Sequence, residues 1–173
     1  NIRKTWFLFT GFLIVVTAIG WIFAQAYADP SILYFAVIFS VFMSVLSYWF
    51  SDKIILTMTR ATPATRESHR ELWNTLENLS ITAGLPMPKL YIIHEQAPNA
   101  FATGRDPKHA VVAVTEGLLH RLDRSELEGV LAHELSHIGN RDMLVGTVAV
   151  VLVGFISILS DMFMRSMFLG GRR

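Results

Sequence analysis

The sequence predicts an α+β chain. It begins with a hairpin of two transmembrane helices, continues through a small mixed unit, and ends in a His-Glu-x-x-His helix running into a third transmembrane helix. Three observations carry this prediction. Charge is absent from three long stretches: 24 residues from Thr5 to Ala28, 22 from Pro30 to Ser51 and 18 from Met143 to Ser160. Between the second and third lies a polar segment in which helical and strand spacings of apolar residues alternate. Near its end stands His133-Glu134-Leu135-Ser136-His137. The pattern divides the chain into a two-helix hairpin at 1–51, a cytoplasmic unit at 52–142 and a third membrane segment at 143–173.

Composition supports the membrane assignment. The chain is 52% hydrophobic with mean hydropathy +0.42, and 17% of its residues are charged, against about a quarter in soluble domains. About 20 apolar residues cross a bilayer core as a helix, so the first two stretches qualify and the third is marginal. A soluble chain of 173 residues could not bury three such helices. The first stretch is also too long for the apolar core of a signal peptide. Only Ala28, Asp29, Pro30 and Ser31 link the first two spans. Arg3 and Lys4 precede the first span, Lys53, Arg60, Arg66 and Arg70 follow the second, and the link has no basic residue. The positive-inside rule then places the N-terminus and the polar unit in the cytoplasm. Arg172 and Arg173 would emerge on the disfavoured side. Net charge is +1, and no basic cluster interleaved with aromatics points to nucleic acid.

Within the polar unit, Glu67 to Ala83 reads as a helix, with Leu72, Leu76, Leu79 and Ala83 on one face and Gly84 as its stop. Lys89 to Ile93 is a short strand following Pro86 and Pro88. Asn99 to Thr103 and Ala110 to Val114 form two strands joined across Gly104-Arg105-Asp106-Pro107. Thr115 caps a short helix through Leu122. Ser125 with Glu128 makes a capping box that starts the histidine helix, whose buried stripe is Leu127, Val130, Leu131 and Ile138.

His133 and His137, four apart, share a helix face and can reach one Zn²⁺, while Glu134 lies close enough to act on a water at the metal. With no cysteine, disulfides and thiolate ligands are excluded, leaving His and carboxylates. His69, His94, His109 and His120 read as solvated or locally hydrogen-bonded residues. Asp161 and Arg165, spaced four apart, can neutralise each other in a membrane helix. Met162, Met164 and Met167 read as bulk facing lipid or helix. No Glu follows Glu134, and the next carboxylate is Asp142. On a continuous helix Asp142 lies about 140° round from His137 and points away from the metal. Two protein ligands can thus be counted where a catalytic zinc takes three. Only five residues separate His137 from Met143, about 9 Å of helix, so the centre lies near the membrane surface.

Asn99 to Gly104, Val112 to Leu119 and Glu126 to Asp142 together resemble the HtpX-type membrane metalloproteases, bacterial inner-membrane heat-shock peptidases related to the prenyl-protein proteases. The resemblance covers essentially the whole chain. It implies a zincin-like (gluzincin) fold facing the cytoplasm, one zinc, and endopeptidase action on damaged or misfolded membrane proteins. It also implies that Asn99 and Ala100 hold the substrate backbone as an added strand. The resemblance implies a continuation through a fourth span to a Glu that completes the zinc shell, so the expectation is that this sequence represents an N-terminal portion. A prenyl-protein-processing relative and a non-catalytic membrane adaptor are the competing readings. Natural substrates and oligomeric state are not legible.

Overall fold

A computed structural model describes residues 2–170, except for the side chains of residues 2, 158, 159 and 162–170. The chain starts with two long antiparallel helices, α1 (Ile2–Ala26) and α2 (Ser31–Met58). Both are long and apolar enough to cross a membrane. Their link is tight: Ala28 adopts φ 51° and the Asp29 carboxylate accepts from the Ser31 N–H at 2.9 Å. Close approach of the two helices requires Gly20, where a Cβ would stand 2.4 Å from that of Ala36. Buried positions on α2 are small (Ala36, Ser40, Ser47, Ser51). The Ser40 and Ser47 hydroxyls are satisfied by carbonyls one turn back, at 2.8 and 3.0 Å. Small interfacial residues with internally bonded hydroxyls are how helices pack when lipid competes for the apolar surface. α2 also runs seven residues past the apolar stretch, through Asp52 and Lys53 to Met58, because charge ends the membrane segment without ending the helix.

The polar unit is a four-stranded sheet in the order β1-β2-β4-β3, formed by β1 (Thr62–Pro63), β2 (Lys89–Ile93), β3 (Ala100–Thr103) and β4 (Val111–Thr115). β2 and β4 are parallel, and the other pairings are antiparallel. Helices α3 (Arg70–Thr82), α4 (Glu116–Leu119) and α5 (Arg124–Asn140) complete it. Its core joins Leu72 and Leu76 of α3, Val112 and Val114 of β4, and Leu131 and Ile138 of α5. β4 is buried along its whole length, as a strand flanked on both edges should be.

Several boundaries differ from the sequence expectation. α3 starts at Arg70 rather than Glu67, because Thr65 and Ser68 bond each other's backbone and side chains in a turn that ends at His69. The capping box of α5 is Asp123 with Glu126, not Ser125 with Glu128; both reciprocal bonds are present, at 2.9 and 3.0 Å. Asp123 wins because its extended backbone carries the side chain over the first free N–H groups. β1, only two residues long, had no sequence signal. The β3–β4 turn holds a short 3₁₀ helix, Pro107–His109, and needs Gly104 at φ 134°.

The largest departure concerns the helix after the histidines. α5 does not run on as one rod into α6 (Met143–Gly170). Arg141 takes a left-handed conformation (φ 54°, ψ 38°), and the two helices meet at 90°. α6 then packs on the hairpin through Leu144, Val148 and Leu152, against Phe12, Val16 and Ala36. The side chains of Arg165, Met162, Met164 and Met167, and all of Arg172 and Arg173, lie outside the described residues.

Candidate metal centre

α5 carries His133, Glu134 and His137. Leu127, Leu131, Leu135 and Ile138 bury its opposite stripe, which turns the histidines away from the core. The Nε2 atoms of His133 and His137 converge to 3.2 Å, with their rings at 80° to each other. Two nitrogens bound tetrahedrally to one zinc at ~2.0–2.1 Å stand about 3.3 Å apart. The pair therefore has the bite that a zinc requires.

His137 is further held through its other nitrogen. Its Nδ1 lies 3.0 Å from the Asp142 carboxylate, which can only accept, so Nδ1 carries the hydrogen and Nε2 keeps a lone pair. Asp142 on a continuous helix would point away. The left-handed turn at Arg141 stops the 100° per residue progression and folds Asp142 back, with its N–H on the His137 carbonyl at 3.3 Å. The earlier placement of Asp142 is thus corrected: it bonds the candidate ligand and orients its ring. A polar Asn140-Arg141-Asp142 run between an amphipathic and an apolar helix was the available signal.

Glu134 is buried at 9% exposure, and burial pushes its carboxyl above the ordinary glutamate range. The Ala102 backbone N–H and the two imidazoles act in the opposite sense, favouring the charged form. Ala102 belongs to β3, the edge strand of the sheet. Asn99 exchanges bonds with Thr115, its N–H reaching the hydroxyl at 2.8 Å and its carbonyl accepting from the Thr115 N–H at 3.0 Å. Antiparallel alternation then turns the backbone groups of Ala100 and Ala102 toward the open edge. The Asn99 main chain is committed to β4, whereas that of Ala100 faces outward. A cleft of about 650 Å³ runs beside this edge, lined by Phe101, Ala102, Glu134, His137 and Asp142 and floored by α6 residues such as Thr147. The Thr103 and Thr147 hydroxyls, both buried and 2.9 Å apart, fasten β3 to α6.

The remaining histidines have local partners where bonds are formed: His94 with Glu116 at 2.8 Å, His109 with Asp106 at 2.8 Å, and His69 with Ser68 at 2.9 Å. Among the described residues no group of three or more His, Cys, Asp or Glu side chains is placed to hold a metal. The residues present fit two positions of a zinc shell.

A family model for peptidase family M48 matches residues 66–170. This chain belongs to peptidase family M48. Membership makes it part of a metalloprotease family and implies a metal cofactor. Its relatives include a protease HtpX homolog of Desulfatibacillum aliphaticivorans, 50% identical over 159 residues, covering 92% of this chain and 51% of that one. Another, from Caldanaerobacter subterraneus, is 45% identical and covers 100% of this chain and 59% of that one. A third, from Tropheryma whipplei, is 43% identical with the same two coverages, 100% and 59%. The M48 chain thus spans between half and three-fifths of the curated relatives it matches. Among solved structures, the crystal structure of S. mikatae Ste24p aligns with TM-score 0.50 at 18% identity, over 92% of this chain and 38% of that one, a likeness of fold.

Proposed function

We propose that this M48 chain carries the zinc-binding and proton-transfer part of a membrane-embedded endopeptidase that degrades damaged or misfolded membrane proteins. The observation that carries the reading is the 3.2 Å convergence of two imidazole nitrogens beside a buried carboxylate. His133 and His137 hold the zinc, and a third ligand comes from beyond the described residues. A bound zinc supplies Lewis acidity, polarising a carbonyl and making water nucleophilic near neutral pH. Asp142 fixes the His137 ring so that its lone pair is presented. Glu134 takes the proton of the attacking water and passes it to the leaving amine, and its partial burial suits it to that exchange.

Substrate enters as an extended segment added to the edge of β3, with Ala100 and Asn99 along its path. Glu134 ends its resting bond to the Ala102 N–H when substrate takes that edge. The cleft is built partly from α1, α2 and α6 residues, including Lys4, Ile55 and Val150. That composition favours segments emerging at a membrane surface. The basic residues flanking the hairpin support a site on the cytoplasmic side, and the resemblance to HtpX-type proteases favours a bacterial inner membrane. The test is Glu134→Gln in the form of the protein that carries a third ligand. Zinc should be retained while cleavage of an unfolded or membrane substrate falls about 10²–10⁴-fold. Near-normal cleavage by that metal-replete variant would overturn the role.

A further inference from the structure

A second cavity, of about 580 Å³, shares no residue with the metal-centre cleft. Its two walls are the N-terminal part of α1, from Thr5 to Leu13, and the facing part of α2, from Val41 to Trp49. Each wall spans eight residue steps, about 12 Å of helix, against about 15 Å for the hydrocarbon of one leaflet. The deep end is mostly apolar, with Leu13, Val41 and Val45, and the Ser44 hydroxyl beside them is spent on the Ser40 carbonyl at 2.8 Å. The end next to the sheet unit is different: Arg105 from the β3–β4 turn and Arg141 from the α5–α6 turn stand there with Asp106.

The charges at this mouth do not cancel. Asp106 is already engaged by the Lys108 and His109 N–H groups at 2.9 and 3.0 Å and by the His109 ring at 2.8 Å. Its Oδ2 also lies 3.4 Å from the Arg105 Nε, and one Nη of Arg105 lies 3.0 Å from the His109 Nε2, which leaves three of the five guanidinium donors of Arg105 for a ligand. Arg105 lies over the Trp49 ring at 4.7 Å, which holds the cation at the level of an interfacial aromatic. Thr5, which lines the same end, has a buried hydroxyl with no hydrogen-bond partner among the described residues. A buried hydroxyl left unbonded costs about 1–3 kcal/mol unless something meets it.

We propose that this groove binds one anionic glycerophospholipid, its phosphate at Arg105 and Arg141 and one acyl chain between α1 and α2. The size lies within the range of ligand pockets, about 300–1,000 Å³. Guanidinium forks suit phosphate oxygens, and a phosphate with an apolar tail is the ligand that matches two cations above an apolar slot. A peptide fits less well, because the walls are two helices whose backbones are internally bonded and offer no strand edge. Elsewhere the outer face of α2 is apolar without a cation, as at Phe35, Ile38 and Phe42, and would hold bulk lipid without selection.

Native mass spectrometry of the purified protein in detergent, titrated with phosphatidylglycerol or phosphatidylcholine, tests this. One phosphatidylglycerol per chain should be retained at a concentration at least about fivefold below that needed for phosphatidylcholine. The Arg105→Gln/Arg141→Gln pair should reduce that preference to near unity. Val45→Trp leaves both cations and fills the slot, and should lower retention of both lipids, which keeps the proposal testable if the double variant misfolds. The control Arg66→Gln removes an exposed cation that pairs with Glu77 and should change nothing. Equal binding of the two lipids by the unaltered protein, or retention unaffected by Val45→Trp, would overturn the proposal. So would a longer form of the protein that excludes lipid because a further helix fills the groove.

Discussion

Helix α2 and the sheet unit differ in the side chains they bury most deeply. In the sheet unit the fully buried side chains are mainly large and apolar, Leu76, Leu131 and Ile138 among them, with Thr103 and Thr115 beside them. On α2 the fully buried side chains are Ser40, Ser47 and Ser51, while Ile38 and Phe35 of the same helix stand 68% and 66% exposed. One chain thus follows two solvents. Water drives apolar side chains together in the sheet unit; hydrocarbon offers no such force, so α2 meets its neighbours through small residues and internally bonded hydroxyls. The candidate metal centre lies where the two regimes meet, tied across the junction by Thr103 to Thr147 and by His137 to Asp142.

The contrast can be broken most forcefully by paired truncations. Leu131→Ala should cost about 2–5 kcal/mol, as loss of a fully buried leucine does. Phe35→Ala, on the lipid face of α2, should shift denaturation in detergent by less than about 0.5 kcal/mol. Equal losses in the two would show that the bundle's outer face is packed rather than lipid-facing. At the junction, Asp142→Ala should weaken zinc affinity about 10- to 100-fold without unfolding the sheet unit, since it frees the His137 ring. Unchanged affinity by competition with a chelating dye would remove Asp142 from the site.

Thr103→Val tests the other tie. Removing one hydroxyl of a buried pair should cost about 0.5–1.5 kcal/mol, because Thr147 keeps its bond to the Met143 carbonyl at 2.8 Å. Hydrogen exchange should quicken along β3 first. Exchange that quickens uniformly would deny the strand-to-helix link. The smallest effect concerns Glu134 in metal-free protein. Burial raises its carboxyl above the ordinary range, so the folded state binds that proton more tightly than the unfolded chain. Stability therefore falls as pH rises from the ordinary glutamate range through the raised value, and neutral pH carries the whole penalty. Glu134→Gln should melt higher than the unaltered protein at neutral pH, with the gap closing below the ordinary glutamate range. A gap that persists in acid would assign the effect to packing.

Much of this was legible because single elements carry their own signals. Charge-free runs gave the two spans, and Lys89–Ile93 was bounded by prolines on one side and polar residues on the other. That His133 and His137 meet on one face of α5 was legible because helical spacing is a local rule. What escaped depended on one backbone conformation. Arg141 has a side chain that ordinarily disfavours the left-handed region, and the polar run Asn140 to Asp142 hints at a break without marking which residue turns. Extrapolating the helix through it misplaced Asp142 and straightened a 90° turn. The capping box slipped by two residues for a related reason: Ser125 and Asp123 are both good caps, and only the entering backbone chooses between them.

The central claim is that His133 and His137 grip one zinc together. Its most direct test is zinc content per chain after exhaustive dialysis, compared for the unaltered protein, His133→Ala, His137→Ala and Glu134→Gln in the form that carries a third ligand. One zinc is expected in the unaltered protein and in Glu134→Gln, and near none in either histidine variant, because a shell reduced to two protein ligands does not hold catalytic zinc. Stoichiometric zinc retained by His133→Ala or His137→Ala would contradict it.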